Sequence, residues 1–189
     1  MRFYSLFSRT GFSNTYLIGP ALGGDAVLID PGAFDAQLLQ AIESNGLYVR
    51  SILVTHAHNA HIKGIRGVLR VYDAAIYSNQ PSVLEFPARR IRDGDELALG
   101  GFKVQVIETP GHSIDSVSFL VEHLLFTGDT LTAGGIGTTR DGYARGLLLE
   151  TVRRKLLSLG DEVLLFPGHG PPSKVGIEKL YNPYLGEKL

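Results

Sequence analysis

The chain has 189 residues, of which 44% are hydrophobic and 20% charged, with a formal net charge of −1 at pH 7. This composition suits one soluble domain over residues 1–189 with a sizeable core, and it lacks the basic excess of a protein that binds nucleic acid or an anionic membrane. The absence of cysteine excludes disulfides, thiolate metal ligands and cysteine nucleophiles. No apolar run of about 20 residues predicts a membrane helix, and no signal-peptide core is evident, so we expect a cytoplasmic protein.

The first half of the chain predicts strands interrupted by two helices. The two helices are expected at 34–44, closed by the turn signal Asn45–Gly46, and at 62–72, where Gly64 and Gly67 weaken the pattern. Alternating or continuous apolar runs predict strands over the following ranges: 2–8, 13–19, 26–30, 51–55 and 75–78.

The second half predicts further strands around one amphipathic helix. That helix is expected over 145–159, with Leu148, Val152, Leu156 and Leu159 on one face. A short helix is expected over 174–180. Strands are expected over the following ranges: 95–99, 102–108, 116–121, 123–126 and 163–166. Because strands and helices are mixed throughout, a layered α/β fold is favoured over separate all-α and all-β halves.

Histidines follow the predicted strands with unusual regularity. Five of the six lie just beyond an apolar strand, in loops with Gly, Pro or Thr: His56, His58, His61, His112 and His169. Asp129 occupies the equivalent position after "LLFTG". Loops at strand ends can aim polar groups into one cleft, and imidazole with carboxylate suits zinc, iron or manganese.

Each of these signals alone is more typical of a surface loop or a helix cap than of a metal site. Their joint occurrence at four strand ends is what predicts a metal centre. His123, in "VEHLL", lies outside the pattern, and we expect it in a hairpin turn with no functional role.

The ordered motifs "THAHNAH", "TPGHS", "FTGDTL" and "FPGHGPP" resemble those of the metallo-β-lactamase superfamily. "VLIDPG" is similar to its early aspartate motif, which implies that Asp30 is a structural residue near the metal loops. The tail "GHGPPSKVGIEKLYNPYL" resembles the small glyoxalase-II-like hydrolases of that superfamily. The resemblance spans roughly residues 15 to 175.

The resemblance implies a fold and a ligand set. The fold is an αββα sandwich, with two mixed sheets flanked by helices and the metals at one edge. A first metal would be held by His56, His58 and His112, and Asp129 would bridge to a second metal held also by His61 and His169. The expected cofactor is Zn²⁺, as one or two ions, with iron as an alternative.

Ala60 departs from the family pattern, which has a metal-binding aspartate at this position. A methyl group cannot coordinate a metal, so the second site loses an anionic ligand and its affinity should fall. The first site loses no direct ligand. We therefore expect one firmly bound ion and a weaker second one.

The resemblance implies hydrolysis of a small thioester, by attack of metal-activated water on the carbonyl carbon. Asp129 is expected to position that water, and the partner is expected to be a small molecule rather than nucleic acid or membrane. Specificity for glutathione is less secure, because related enzymes carry Lys or Arg where this chain has Thr138. Glyoxalase II proper also has an additional C-terminal helical domain. Arg140 is close by in sequence and is the candidate substrate contact.

Two other functions stay open. One is that of the mononuclear iron persulfide dioxygenases, which resemble this group and whose ligands His56, His112 and Asp129 match. A set of two histidines and one carboxylate is suited to oxygen activation by iron. The third candidate is a non-catalytic metal or ligand binder in which Ala60 marks degeneration. β-Lactam hydrolysis and nuclease activity are disfavoured, and the oligomeric state is open.

Overall fold

The computed structural model describes residues 1–185 and contains two six-stranded mixed sheets. The first sheet has the order β1-β2-β3-β4-β5-β8. Its strands are β1 (Arg2–Ser8), β2 (Ser13–Gly19), β3 (Gly24–Ile29), β4 (Leu47–Leu53), β5 (Ala75–Ser78) and β8 (Arg89–Arg90). β1, β2 and β3 are antiparallel neighbours, whereas β3, β4, β5 and β8 run parallel.

The second sheet has the order β16-β15-β12-β11-β10-β9. Its strands are β9 (Glu96–Leu99), β10 (Phe102–Glu108), β11 (Val117–Val121), β12 (Leu124–Gly128), β15 (Leu164–Pro167) and β16 (Ser173–Lys174). β12 and β15 are parallel and the other pairs are antiparallel. Two small hairpins complete the strands: β6 (Ser82–Val83) with β7 (Phe86–Pro87), and β13 (Leu131–Thr132) with β14 (Gly135–Ile136).

Helices cover the outer face of each sheet. The helices are α1 (Ala36–Glu43), α2 (Asn59–Ile62), α3 (Ile65–Val71), α4 (Gly142–Thr151) and α5 (Val175–Tyr181). One π-helical turn, Val152–Leu156, continues α4. No helix among residues 1–185 is both long and apolar enough to cross a bilayer.

Three apolar layers hold these elements together. Phe119 and Phe126 are fully buried between the two sheets. Ile42 of α1 and Ile65 of α3 pack on the outer face of the first sheet. Leu148 of α4 packs on the outer face of the second, together with Val152 and Leu156 of the π turn. The predicted αββα sandwich is therefore confirmed.

The predicted elements differ from the structure in four places. The strand expected over 51–55 begins four residues earlier, at Leu47 of β4. The helix expected over 62–72 is shorter, since α3 covers Ile65–Val71, and the separate helix α2 was not predicted; the two are divided at Lys63–Gly64. Gly64 lies against the backbone of Pro31 and Ala33, where a Cβ would come within 2.5 Å of Ala33. The helix expected over 145–159 begins three residues earlier, where Asp141 caps it by accepting a hydrogen bond from Ala144 N–H at 2.8 Å. Six two-residue strands have no counterpart in the prediction: β6, β7, β8, β13, β14 and β16.

Topology brings the functional loops to one edge of the sandwich. β3 and β4 are parallel, so the loops that follow them, containing Asp30 and His56, start at the same edge of the first sheet. In the second sheet, β10, β12 and β15 share one direction, and their following loops contain His112, Asp129 and His169. The two edges are joined by backbone hydrogen bonds, from Val117 N–H to the Thr55 carbonyl (2.8 Å) and from Asn14 N–H to the Gly168 carbonyl (2.7 Å).

Candidate metal centre

The structure brings all six predicted ligands together, in two clusters that share Asp129. The first cluster contains His56, His58, His112 and Asp129, and the second contains His61, Asp129 and His169. Within each cluster, one possible ligand atom from every residue lies within 4.8 Å of the others. His123 lies between β11 and β12, in the hairpin turn where the sequence predicts it.

Asp129 lies between the two clusters and faces both. Its Oδ2 atom is 3.6 Å from His56 Nε2, 3.5 Å from His112 Nε2 and 3.5 Å from His61 Nε2. Its Oδ1 atom is 2.8 Å from His169 Nδ1. This arrangement is the one expected of a carboxylate that bridges two ions.

The ring nitrogens of the buried histidines indicate what these clusters could bind. His56 Nε2 and both nitrogens of His61 are buried without a hydrogen-bond partner among the described residues. Buried polar atoms without partners are rare and costly. A cation coordinated by these nitrogens satisfies them, so the residues present fit a metal ion of the zinc or iron type.

The protonation of the two clusters differs in the metal-free protein. Burial, with the neighbouring His61 adding to it, lowers the pKa of His56 to about 2. Burial also lowers the pKa of His58, and the neighbouring His112 adds to the effect. For His61 burial opposes the charged form, but the carboxylates of Asp129 and Asp30 outweigh it and raise its pKa to about 10. Burial likewise opposes ionisation of Asp129, and contacts with His169 and His61 prevail and lower its pKa.

Asp30 lies behind the second cluster and has φ +48°. It accepts hydrogen bonds from Thr55 N–H (2.8 Å) and Thr55 Oγ1 (2.6 Å), and its Oδ2 is 3.3 Å from His61 Nδ1. A carboxylate behind the ring orients a histidine so that its other nitrogen faces the metal. The predicted structural position of Asp30 near the metal loops agrees with this geometry.

Two interactions around the first cluster were missed by the sequence reasoning. His112 Nδ1 is 2.8 Å from the carbonyl of Thr138, which leaves His112 Nε2 to face Asp129. The sequence drew attention to Thr138 only because related enzymes have Lys or Arg at this position. In the structure, the backbone carbonyl of Thr138 is the group that contacts the site. The second missed residue is Asp115, which accepts a hydrogen bond from Ala57 N–H at 3.0 Å. The aspartate in "HSID", directly after "TPG", was the signal in the sequence from which Asp115 could have been found.

Two glycines allow the backbone to approach Asp129 closely. A Cβ on Gly168 would lie 2.5 Å from Asp129 Oδ1, and a Cβ on Gly137 would lie 1.9 Å from the Asp129 carbonyl oxygen. Any side chain at either position would therefore displace Asp129 or the adjacent backbone. This packing requires the first glycine of "GHG" and the second glycine of "GIG".

Ala60 lies at the start of α2, with its side chain half-buried beneath the β1–β2 turn. A Cβ on Gly11 of that turn would lie 3.0 Å from Ala60 Cβ, and Ser13 Oγ donates a hydrogen bond to the Ala60 carbonyl at 2.6 Å. The second cluster consequently has three donors in the structure, and the first has four.

A cavity of about 310 Å³ adjoins the first cluster. His112 and Arg140 both line it, and its remaining walls come from the loop that contains His112 and from α4: Gly111, Ser113, Ile114, Tyr143, Ala144 and Leu147. Ile114 and Tyr143 are each 81% exposed. Arg140 uses its Nε to pair with Asp141 at 3.0 Å. Concave sites with apolar walls and a few polar groups are typical of small-molecule binding.

These features define a class: an α/β sandwich that carries a histidine and carboxylate metal centre at the edge shared by its two sheets. The chain belongs to the metallo-β-lactamase superfamily, whose family model matches residues 8–169.

Three similar proteins illustrate the range of this superfamily. Hydroxyacylglutathione hydrolase GloC of Haemophilus influenzae is 32% identical over 87% of this chain and 89% of its own length. The structure of ETHE1 from Myxococcus xanthus is 33% identical, covers 100% of this chain and 86% of that one, and has a TM-score of 0.88. TTHA1623 in a di-iron-bound form is 30% identical over 96% of this chain and all of that one, with a TM-score of 0.82.

Proposed function

We propose that this protein is a metal-dependent hydrolase of a small thioester. The observation that carries the proposal is the position of Asp129, at 3.5–3.6 Å from three imidazole nitrogens, one of which belongs to His112 in the cavity wall. The similarity to a hydroxyacylglutathione hydrolase supports the thioester class.

His56, His58, His112 and Asp129 would hold the first metal ion, which when bound supplies Lewis-acid stabilisation of a developing oxyanion and lowers the pKa of water towards about 7. Asp129 stays ionised at neutral pH and can therefore accept a hydrogen bond from a nucleophilic water. The Thr138 carbonyl holds His112 in one orientation. Thiolate is a good leaving group at neutral pH, so the reaction needs no protonated side chain beside the sulfur.

The cavity beside His112 is the proposed substrate site. Its apolar walls suit the aliphatic part of a thioester, and Arg140 at its rim suits a carboxylate. The Arg140 Nη atoms are not used by the pair with Asp141, which involves Nε. Because Thr138 replaces a basic side chain, we propose that glutathione thioesters are accepted without being strongly preferred over other small thioesters.

The test combines metal analysis with a thioester assay. Protein purified without added metal is analysed for zinc and iron, and is then assayed with S-lactoylglutathione and with thioesters of smaller thiols. We expect zinc and turnover of several thioesters, with His123→Ala as a matched control that retains both. Bound zinc without thioester turnover would overturn the proposed activity and leave the metal site standing.

A second candidate is a mononuclear iron oxygenase of the persulfide dioxygenase type. It is favoured by the similarity to ETHE1 and by the missing carboxylate at Ala60, since this chemistry needs one ion held by His56, His112 and Asp129. This reaction would be supported if the purified protein contains iron and consumes oxygen when glutathione persulfide is added. Absence of turnover on either substrate class would favour a metal-binding protein without catalytic activity.

A further inference from the structure

The loop after His112 contains a buried carboxylate that belongs to neither ligand cluster. Asp115 is 6% exposed. No Lys, Arg or His side chain lies within ion-pair distance of it among residues 1–185. Burying a charge is costly unless the charge is compensated. The contacts of Asp115 therefore indicate what this carboxylate does.

Both oxygens of Asp115 are used, and each contacts a different ligand-bearing loop. Oδ2 accepts a hydrogen bond from Ala57 N–H at 3.0 Å. Ala57 is the residue between His56 and His58. Oδ1 accepts a hydrogen bond from the hydroxyl of Ser113, the residue directly after His112. One carboxylate thus connects the loop of the first two ligands to the loop of the third.

These loops come from different sheets, so their relative position is not fixed by one hydrogen-bonded ladder. Near the site, the other backbone connection between them is the bond from Val117 N–H to the Thr55 carbonyl, which lies behind His56. His58 is exposed, and its Nδ1 lies 3.0 Å from His112 Nε2. A contact at Ala57 therefore controls how closely His58 approaches His112.

We propose that Asp115 is a positioning residue that sets the distance between the His56–His58 loop and the His112 loop, and so preorganises the first metal site. Hydrogen bonds to a charged acceptor are about twice as strong as neutral ones. Partners behind metal ligands typically change metal affinity by about 10–100-fold when removed. Asp115 differs from such partners in acting on the backbone of a ligand loop rather than on a ligand ring.

The test measures zinc affinity by competition with a chromophoric chelator at pH 7.5, together with the unfolding midpoint of the metal-free protein. For Asp115→Ala we expect affinity for the first ion to fall about 10–100-fold. For Asp115→Asn, which keeps an acceptor but loses the charge, we expect a loss of about threefold to tenfold, in line with the weaker neutral bond.

The matched control is Asp35→Ala. Asp35 also accepts a backbone hydrogen bond, from Leu38 N–H at 3.0 Å, but it caps α1 away from the site. Its loss should lower the unfolding midpoint and leave zinc affinity unchanged. An Asp115→Ala affinity within twofold of wild type, or a loss equal to that of Asp35→Ala, overturns the inference. If Asp115→Ala does not fold, Asp115→Asn decides, and an unchanged affinity overturns it. Because zinc binding is read without substrate, a failure of the thioester proposal leaves this result intact.

Discussion

The two ligand clusters share Asp129 but differ in the number of donors and in the protonation of their buried histidines. The first has three imidazoles and a carboxylate, and its buried member, His56, is neutral. The second has two imidazoles and the same carboxylate, and its buried member, His61, carries a proton at neutral pH in the metal-free protein.

This difference shows how one missing side chain changes a two-ion centre. A cation entering the first cluster finds three imidazoles, and Asp129 or a water would complete a tetrahedral set for zinc. A cation entering the second must displace a proton from His61, and it finds no carboxylate at residue 60. We therefore expect the first cluster to bind strongly and the second to depend on the concentration of added metal.

The largest expected effect comes from removing a ligand of the first cluster. His58→Ala or His112→Ala should weaken affinity for the first ion by more than about 100-fold, which exceeds the usual effect of removing a hydrogen-bond partner of a ligand. Either change should also reduce thioesterase activity to background. Metal content after gel filtration and initial rates check this. Full metal retention in both variants would show that the strong site lies elsewhere.

The next effect concerns Ala60. Ala60→Asp adds a carboxylate beside His61 and His169 and should tighten the second ion by at least about tenfold, or about 1.4 kcal/mol. Ala60→Asn is the matched control, because it has the same shape without the charge. Metal stoichiometry at equal zinc supplementation is the measurement. A wild-type protein that already binds two equivalents as tightly as Ala60→Asp would remove the contrast between the clusters.

A third effect follows from the protonation of His61 in metal-free protein. Its folded pKa, about 10, lies above the unfolded value of about 6.5, so its contribution to stability is fully present below pH 6.5 and is lost as the pH rises towards 10. His56, with a folded pKa of about 2, acts in the opposite sense, since stability falls as acid protonates it in the unfolded chain.

Urea unfolding in the presence of a chelator tests this prediction. The free energy of unfolding of wild type minus that of His61→Gln should decrease between pH 6 and pH 10. A difference that stays constant over this range would mean that His61 is not held in its charged form.

The smallest expected effect is at the substrate site. Arg140 is an exposed residue, so Arg140→Ala should raise KM for thioesters with a carboxylate by about threefold to fivefold, the size of an exposed ion pair of up to about 1 kcal/mol. Thioesters without a carboxylate should be unaffected, and Arg153→Ala, in the π-helical turn that continues α4, serves as a control. Equal KM changes for both substrate types would exclude a charge contact at Arg140.

Strand and helix periodicity indicated a layered α/β fold, and the polar residues after successive strands indicated a metal site. The αββα sandwich and the set of six ligands followed from the resemblance of the ordered motifs to the metallo-β-lactamase superfamily. The sequence did not predict the break between α2 and α3, since Gly64 is required by contact with Pro31 and Ala33, which are distant along the chain. Asp115 was missed for the same reason, because its partner, Ala57, lies 58 residues away. The two-residue strands depend on tertiary pairing and have no periodicity of their own.

The contrast between Ala60 and the glycines around Asp129 has a genetic consequence. An aspartate codon becomes an alanine codon by a single base change, and the alanine codons GCT and GCC revert in the same way, so the fourth ligand of the second cluster can be lost or regained in one mutational step. Gly137 and Gly168 have no such freedom, because any side chain there would push Asp129 out of both clusters at once. Within one lineage, the number of ions bound can therefore change readily, while the carboxylate shared by the two clusters is retained.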